Sequence, residues 1–548
     1  MLLDHYEEFT EAQLKILEKY VTNTSGHVFV LRNLPEVIKG ALFSRYSRSN
    51  LGLRSLLLKE FISNDDEAAF SSIVGNAASG TDDSTNQSLS IQKAQNFYDR
   101  ILDGYGDDSI GELGGAHVAL ENVSMLAAKF IEDSRIGGSP LEKSTRYVYF
   151  DQKVNGEYLF YREPVLMTSA YRNLYIQTSN MLFDTYAKLI PPMTAIIEKT
   201  MVQSSSVSKV AYTAALRAKV LDCLRGLLPA GTLTNMGVYG NGRFFDQLIH
   251  KLHVSNLVEM QDLGKRLYDE LAKVMPSFIR RAEINHHTHE KYVEFSETMS
   301  SELNLVAEHN IPLVKKRTEA GARLIDFDID APIKVAAALL FSHSDRSLFD
   351  LANHCRSLPE EELARILDAG CVARENRRQK SPRALEFANF TFEIVADFGV
   401  YRDLHRHRML TQERQFLCCD YGFYVPPEIV GTECESEYME ALYEAKAAYD
   451  TIAVELPEEA QYIVPMAYNI RWYFQVNLRA LQWLCELRSS AAGHPGYRLV
   501  AQSMAKQVIQ AFPAFERFFK FVDYEGYELG RLDQEVRKEE KRMAREAT

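Results

Sequence analysis

The densest run of chemistry-bearing side chains is YRDLHRHRMLTQERQ, residues 401–415. Arg402, His405, Arg406, His407, Arg408 and Arg414 all fall within it. The rest of the protein is acidic, with 62 Lys and Arg against 75 Asp and Glu and a net charge of −13. A solvated basic helix end is the plain reading. Two features favour another. The run stands out against the acidic whole, and the segment before it, FANFTFEIVADFGVY, is apolar enough to be buried. Arginines emerging from a buried helix meet an anion, because an unpaired charge there is costly. A guanidinium holds phosphate oxygens in a bidentate fork. A second candidate is a loop in which Glu142, Ser144, Thr145 and Arg146 follow Gly137 and Gly138. A hydroxyl, backbone N–H groups and an arginine suit a phosphomonoester, although serine and glycine are also ordinary turn residues.

Other groups carry less. The 7 cysteines are odd in number and show no C-x-x-C spacing. That argues against a disulfide framework or structural zinc site and fits a reducing cytoplasm. Cys418 and Cys419 read as core or pocket-lining residues. His286, His287 and His289 in NHHTHEKY read as an exposed loop rather than metal ligands, since a second ligand cluster is missing. No metal site is expected. Gly240-Asn241-Gly242 is not a dinucleotide fingerprint, because no G-x-G-x-x-G follows a strand-like run.

The elements that must position these groups are mostly helical. At about 150 residues per domain, 548 residues suggest three or four units. Hydrophobic residues make up 46%, which supports a large core. No run approaches the roughly 18 apolar residues of a membrane helix, so no membrane partner is expected. The acidic N-terminus shows no secretory pattern, and a cytoplasmic protein is expected. The overall acidity speaks against a nucleic-acid partner. Helices are predicted over 110–133, 164–200, 208–228 and 235–281, and a charged helix from Asp533 onward. Residues 63–90 read as a long loop or lid. Residues 134–150 read as a turn-rich loop entering a strand-like aromatic alternation.

The chain also repeats itself. GALFSRYSRS at 40–49 resembles AALLFSHSDRS at 337–347. SIGELGGAHVALENVSMLAAKF at 109–130 resembles RALEFANFTFEIVADFGVYRDL at 383–404. LRGLLPAGTLTNMGVYGNGRFF at 224–245 parallels QYIVPMAYNIRWYFQVNLRALQ at 461–482. The offset is 274 from Glu112 to Glu386 and 236 from Pro229 to Pro465. The common order indicates a diverged tandem duplication: an N-terminal repeat at 1–282, a connector at 283–325 and a C-terminal repeat at 326–548.

On these residues the chain resembles the flavin-dependent thymidylate synthases. That family's signature is an Arg-His-Arg triplet followed at a fixed distance by a serine, then an arginine and a tyrosine. Arg406, His407 and Arg408 match the triplet, but the serine position holds Phe416 and the arginine position Cys418. The first repeat is the reverse. Glu132, Asp133 and Ser134 stand near the triplet position, while Glu142, Ser144, Thr145, Arg146 and Tyr147 match the end of the signature. Downstream, the arginine that helps hold the nucleotide survives as Arg225 and is Gln461 in the second repeat. The Asn-x-Arg flavin contact is present in both repeats, as Asn241 with Arg243 and as Asn477 with Arg479. A late arginine acting on the pyrimidine survives as Arg488 and is Leu252 in the first repeat. The losses sort, so a site drawing on both repeats would be complete.

The resemblance implies an α+β fold, two tandem copies of the family fold, each a twisted sheet flanked by long helices. It implies methylation of dUMP to dTMP with FAD as hydride carrier and methylenetetrahydrofolate and NADPH as co-substrates. Arg488 would be catalytic. Glu142, Ser144, Thr145, Arg146, Arg225 and Arg406 would bind nucleotide. Arg406, His407, Arg408, Asn241, Arg243, Asn477 and Arg479 would line the flavin site, with Ser109 and Glu112, or Glu386, as further candidates. The family acts as a homotetramer, so a homodimer of this chain would supply the same four domains. Two alternatives stay open: a flavin-dependent methylase of another pyrimidine nucleotide such as UMP, and a non-catalytic nucleotide-binding protein left after duplication. The unrelated cysteine-dependent thymidylate synthases are set aside, since no cysteine here follows proline.

Overall fold

The computed structural model describes residues 8–25, 29–34, 36–46, 51–62, 111–205, 207–312 and 314–546. Ser109 and the 63–90 segment lie outside them. The fold is α+β. The strands are β1 (Gly115–Ser124), β2 (Gly138–Glu142), β3 (Lys153–Val154), β4 (Glu157–Tyr158), β5 (Leu233–Asn241), β6 (Gly321–Phe327), β7 (Asn389–Asp397), β8 (Thr411–Arg414) and β9 (Asn469–Asn477). The helices that bear on the site are α1 (Met125–Glu132), α2 (Lys209–Leu224), α3 (Gly242–His253), α4 (His287–Asn310), α5 (Phe398–Leu404), α6 (Leu478–Arg488), α7 (Pro495–Ala511) and α8 (Leu532–Glu546). The chain forms two compact units. One is Met1–Leu120, Ser134–Leu141 and Met236–Pro312; the other is Glu121–Asp133, Glu142–Asn235 and Leu313–Thr548.

In the first unit, Leu17, Tyr20, Val21, Leu34, Ile38 and Leu56 belong to a small apolar cluster. The helix Glu11–Tyr20 starts at a capping box, in which Thr10 and Gln13 exchange hydrogen bonds. Strands order as β1-β5-β2. Two helix expectations fail here. Residues 115–124 are strand, and helix begins only at Met125, after Ser124 accepts the Ala127 N–H. Residues 233–241 are also strand, with Thr234, Met236, Val238 and Gly240 buried in strict alternation. That period of two was hidden by small residues. The rest of 235–281 is interrupted between His253 and Val258. The exposed histidine loop fails as well. His286 caps α4, and His289 is buried, with its Nδ1 2.7 Å from that of His250.

In the second unit, antiparallel strands order as β6-β7-β9-β8. The segment expected to be a buried helix before the basic triplet is mostly β7, whose alternating aromatic and β-branched residues suit a pleated face. Phe392 pairs with Phe474 and Ile394 with Trp472, all buried. Only the last turns, α5, are helical. The expected helix over 164–200 breaks between Thr168 and Arg172. Over 134–150 the strand is β2, in the part expected to be loop, and the aromatic stretch 147–150 expected to form a strand is turn and irregular.

A reciprocal contact lies within this unit. Pro229 and Pro465 form an antiparallel bridge. The Ala230 N–H donates to Val464 O at 2.9 Å, and the Met466 N–H donates to Leu228 O at 2.9 Å. The same exchange recurs one step out, from Gly231 to Tyr462 O at 2.7 Å and from Ala467 to Gly226 O at 2.8 Å. Equivalent residues bond each other in both directions, which is the pattern a local two-fold axis produces.

Candidate active site

The triplet and the late arginine converge on one cleft of the second unit, about 400 Å³ in volume. Arg406, His407 and Arg408 line it from the turn after α5, Asn477 and Arg479 from the start of α6, and Arg488 from its last turn. Arg377 and Lys380 add cationic lining, Glu386 is its carboxylate, and Trp483, Leu487 and Met409 are apolar. Asn477 caps α6, its side-chain oxygen accepting the Ala480 N–H at 2.9 Å. Its carbonyl is therefore occupied, and its amide N–H groups are the ones left for a ligand. Arg479 reaches Glu386 at 2.6 Å. Arg488 Nε donates to His407 Nε2 at 3.0 Å. Burial, with the Arg488 charge beside it, holds His407 well below the usual histidine range, so the ring is neutral and free to accept.

The triplet is held from behind by a buried charge group. Arg402 Nη2 lies 2.6 Å from Glu142 Oε1, and Lys129 Nζ and Arg406 Nη2 lie 2.7 and 3.1 Å from Glu142 Oε2. Glu132 takes His405 Nε2 at 2.9 Å and also pairs with Lys129. Burial alone would raise both carboxyls. Arg402 and Lys129 outweigh it at Glu142, and Lys129 and His405 outweigh it at Glu132, so both are ionised. Glu142 is thus saturated by cations. It positions Arg406 instead of offering a free carboxylate to a ligand.

A third group brings first-repeat residues to the same unit. Arg146 donates Nε and Nη2 to the two oxygens of Asp222, each at 2.5 Å, and Nη1 to the Tyr497 hydroxyl at 3.3 Å. Ser144 is half-buried, and its Oγ accepts the Arg146 N–H at 3.2 Å. Thr145 is buried in the same turn. Arg225 is buried with Nη1 3.7 Å from Asp403, and its Nη2 has no protein hydrogen-bond partner. Burial would raise Asp403, but Arg225, Arg488 and Arg146 hold it far below the usual range. Burial pushes Asp397, which caps α5, up to about 6. His494 is driven down to about 3 by burial and Arg225. Tyr497 lies between the two arginine groups, its ring 6.0 Å from Arg146 Cζ and 5.5 Å from Arg488 Cζ.

The remaining candidates separate. Asn241 caps α3 through the Phe244 N–H, and Arg243 pairs with Glu112 at 2.8 Å, both in the first unit. This copies Asn477, Arg479 and Glu386. The positions expected to have lost function differ in setting. Leu252 is fully buried, Phe416 is 55% exposed, and Gln461 bonds the Leu417 N–H and the Glu458 carbonyl. Burial raises the Cys418 and Cys419 thiols, so neither is a ready thiolate. Asp222, Asp403, Tyr497 and His494 went unnoticed in the sequence. Tyr497 and His494 lie outside the motifs, Asp222 stands three residues before Arg225, and Asp403 sits between Arg402 and Leu404 inside the basic run.

The chain is similar to known proteins along most of its length. The family described as thymidylate synthase complementing protein matches residues 62–277 and again 323–514. A UPF0159 protein of Chlamydia pneumoniae is 53% identical over 538 residues, spanning 98% of this chain and 99% of that protein. A UPF0159 protein of Chlamydia muridarum is 52% identical over 537 residues, spanning 98% and 100%. A UPF0159 protein of Thermoplasma acidophilum is 33% identical over 526 residues, spanning 91% and 98%.

Proposed function

Because the chain belongs to the thymidylate synthase complementing protein family, the flavin-dependent thymidylate synthases, as a diverged tandem duplication, we propose that it methylates dUMP to dTMP at a composite site. The repeats would run 1–282 and 326–548, joined by 283–325, each a copy of the family fold. The observation that carries this reading is a sorting of side chains. The cleft group Arg406, His407, Arg408 and Arg488 comes from the second repeat, and Arg146 and Arg225 come from the first. Glu142 joins the two through Arg406.

The cleft's chemistry suits a flavin dinucleotide. Its cationic lining matches two phosphates, and Trp483, Leu487 and Met409 offer apolar surface to a ring. Bound FAD would supply the hydride, with the carbon drawn from methylenetetrahydrofolate and NADPH as reductant. Arg406, His407, Arg408, Asn477 and Arg479 would hold it, and Asn241 and Arg243 would serve a second flavin contact. Ser144, Thr145, Arg146, Arg225 and Arg406 would bind the nucleotide, and Glu142 would fix Arg406.

Arg488 would stabilise negative charge developing at N3 and O2 of the pyrimidine, making C5 nucleophilic without a covalent enzyme adduct. The neutral His407 ring accepts one Arg488 N–H and so orients the guanidinium. Among the described residues no helix is long and apolar enough to cross a membrane. A cytoplasmic homodimer, equivalent to the family tetramer, completes the proposal.

The test is purified protein with the ligands FAD and dUMP, supplied with methylenetetrahydrofolate and NADPH. Flavin absorbance and dTMP formation are expected. A colourless protein after adding both ligands would defeat the enzyme reading, and turnover of UMP alone would move the substrate to the ribonucleotide.

A further inference from the structure

Beyond residue 514, where the family match ends, the chain returns across the Arg146 group. Asp523 N–H donates to Ser489 Oγ at 2.9 Å, Gln502 Nε2 to Asp523 O at 2.7 Å, and Arg498 Nη2 to Glu525 O at 2.9 Å. Farther on, Ser208 before α2 bonds Glu539 in α8. The strap between these anchors carries Arg531. This side chain is only 9% exposed, and its Cζ stands 4.5 Å over the Tyr147 ring. Its Nε donates to Ala492 O at 3.3 Å, while its Nη1 is buried with no protein hydrogen-bond partner.

Arg531 and Arg146 line one small cavity with Lys219, Arg498 and Asp222. A buried guanidinium beside another guanidinium needs a counter-charge. The nearby carboxylates are committed, Asp222 to Arg146 and Glu428 to Lys219. Glu528 also lines the cavity and makes no ion pair with Arg531. Asp222 and Asp403 are ionised and serve Arg146 and Arg225, and neither pairs with Arg531. The unpartnered Arg531 Nη1 N–H suits a phosphomonoester oxygen.

We propose that the segment from Asp523 to Leu532 is a strap that closes over the phosphate of the bound pyrimidine nucleotide, and that Arg531 is a substrate-binding residue donating its Nη1 N–H to that phosphate. This rests on the nucleotide reading above and adds a ligand from outside the family-matched residues. At about 30 Å³ the cavity is water-sized. A phosphate therefore fits only with the strap lifted outward from its position here, Arg531 then resting on the phosphate. Gly530 permits the seating. A Cβ there would stand 2.0 Å from Ala491 O, a backbone atom that cannot move aside cheaply.

The experiment uses the full chain loaded with FAD and measures binding of dUMP and of deoxyuridine, which lacks the phosphate. Arg531→Met should weaken dUMP by about 10- to 100-fold, the worth of a charged hydrogen bond, and leave deoxyuridine unchanged. Arg531→Lys should recover part of the loss. Gly530→Ala should reproduce the phosphate-specific loss without removing any charge. Retained flavin absorbance and an unchanged melting temperature guard against simple misfolding. Arg531→Met protein that binds dUMP within twofold of the wild type overturns the assignment, as does equal weakening of dUMP and deoxyuridine. Wild-type protein that holds FAD but binds no dUMP overturns the nucleotide reading itself, a different result from either.

Discussion

Ser124 and Asp397 occupy the same place in the two repeats. Ser124 caps α1 through the Ala127 N–H, and Asp397 caps α5 through the Val400 N–H. The backbone agrees. Met125 N–H reaches Thr232 O at 3.0 Å, and Phe398 N–H reaches Tyr468 O at 3.0 Å. Counting equal steps beyond the caps sets Lys129 against Arg402, Glu132 against His405 and Asp133 against Arg406. The signature alignment likewise sets Glu142 against Arg414. The pairs Arg406–Glu142, at 3.1 Å, and Arg414–Asp133, at 3.7 Å, are then one contact made twice. In both, the carboxylate comes from the first repeat and the guanidinium from the second. The acids that hold Arg406 of the surviving triplet, Glu132 and Glu142, align with His405 and Arg414 of the second repeat. Two first repeats meeting here would oppose acids, and two second repeats would oppose arginines, so the charges favour unlike halves.

The largest test of this division compares Arg488 with Leu252, its counterpart after the capping asparagine. Arg488→Ala should lower kcat by about 10²- to 10³-fold while flavin absorbance persists. Leu252→Ala should instead cost about 2–5 kcal/mol of stability through a core cavity and leave the kcat of folded protein close to normal. Comparable losses of kcat in both variants would break the comparison.

The charge contact gives the next effect. Glu142→Gln leaves Lys129 and Arg402 buried without their carboxylate and should cost about 3–5 kcal/mol in urea unfolding. Asp133→Asn touches the more exposed copy of the contact and should cost less than about 1 kcal/mol. Equal costs would mean that the two contacts are not equivalents with unequal burial.

Motif spacing made the cleft legible, because Arg406, His407, Arg408, Asn477 and Arg488 each sit at a fixed distance from a recognisable neighbour. The partners that hold them were not legible. Asp222 meets Arg146 across 76 positions and Tyr497 meets it across 351, and such contacts leave no local trace. Strands were the weakest reading of the fold. β1 is mixed in burial and carries His117, Glu121 and Asn122, so its alternation is faint, whereas β7 is so apolar that burial was evident but period was not. Glu142 shows the limit of motif reasoning. The signature singles it out, but its saturation by Lys129, Arg402 and Arg406 could not be inferred from position.

The caps themselves differ in a way that pH reads. Burial lifts Asp397 from its ordinary 3.8 to about 6, while Ser124 does not ionise. A carboxyl raised on folding binds its proton more tightly in the native state. Its stabilising contribution is complete below about pH 3.8 and is lost as pH rises through about 6. Asp397→Ser, which installs the first repeat's cap, should therefore gain on the wild type by on the order of 2–3 kcal/mol between pH 4 and pH 7. The difference between the two stability curves isolates this group from Asp222 and Asp403. A pH-independent difference would show that Asp397 ionises freely and that the caps are electrostatically alike.

The smallest effect is expected where Phe416 stands in place of Ser144. Ser144 is half-buried beside Arg146, and its hydroxyl holds the Arg146 N–H, whereas Phe416 is 55% exposed. Ser144→Ala should raise the KM for dUMP by roughly tenfold, the worth of one hydrogen bond to a charged group at its low end. Phe416→Ala should leave kcat and KM near the wild type and shift stability by no more than about 0.5 kcal/mol, as for other surface changes. The value of the pair lies in the asymmetry. If catalysis needed the signature serine position from both repeats, an aromatic residue there would have to contact substrate, and its removal would register in KM. A silent Phe416→Ala beside a damaging Ser144→Ala would leave the first repeat as the sole donor of that position.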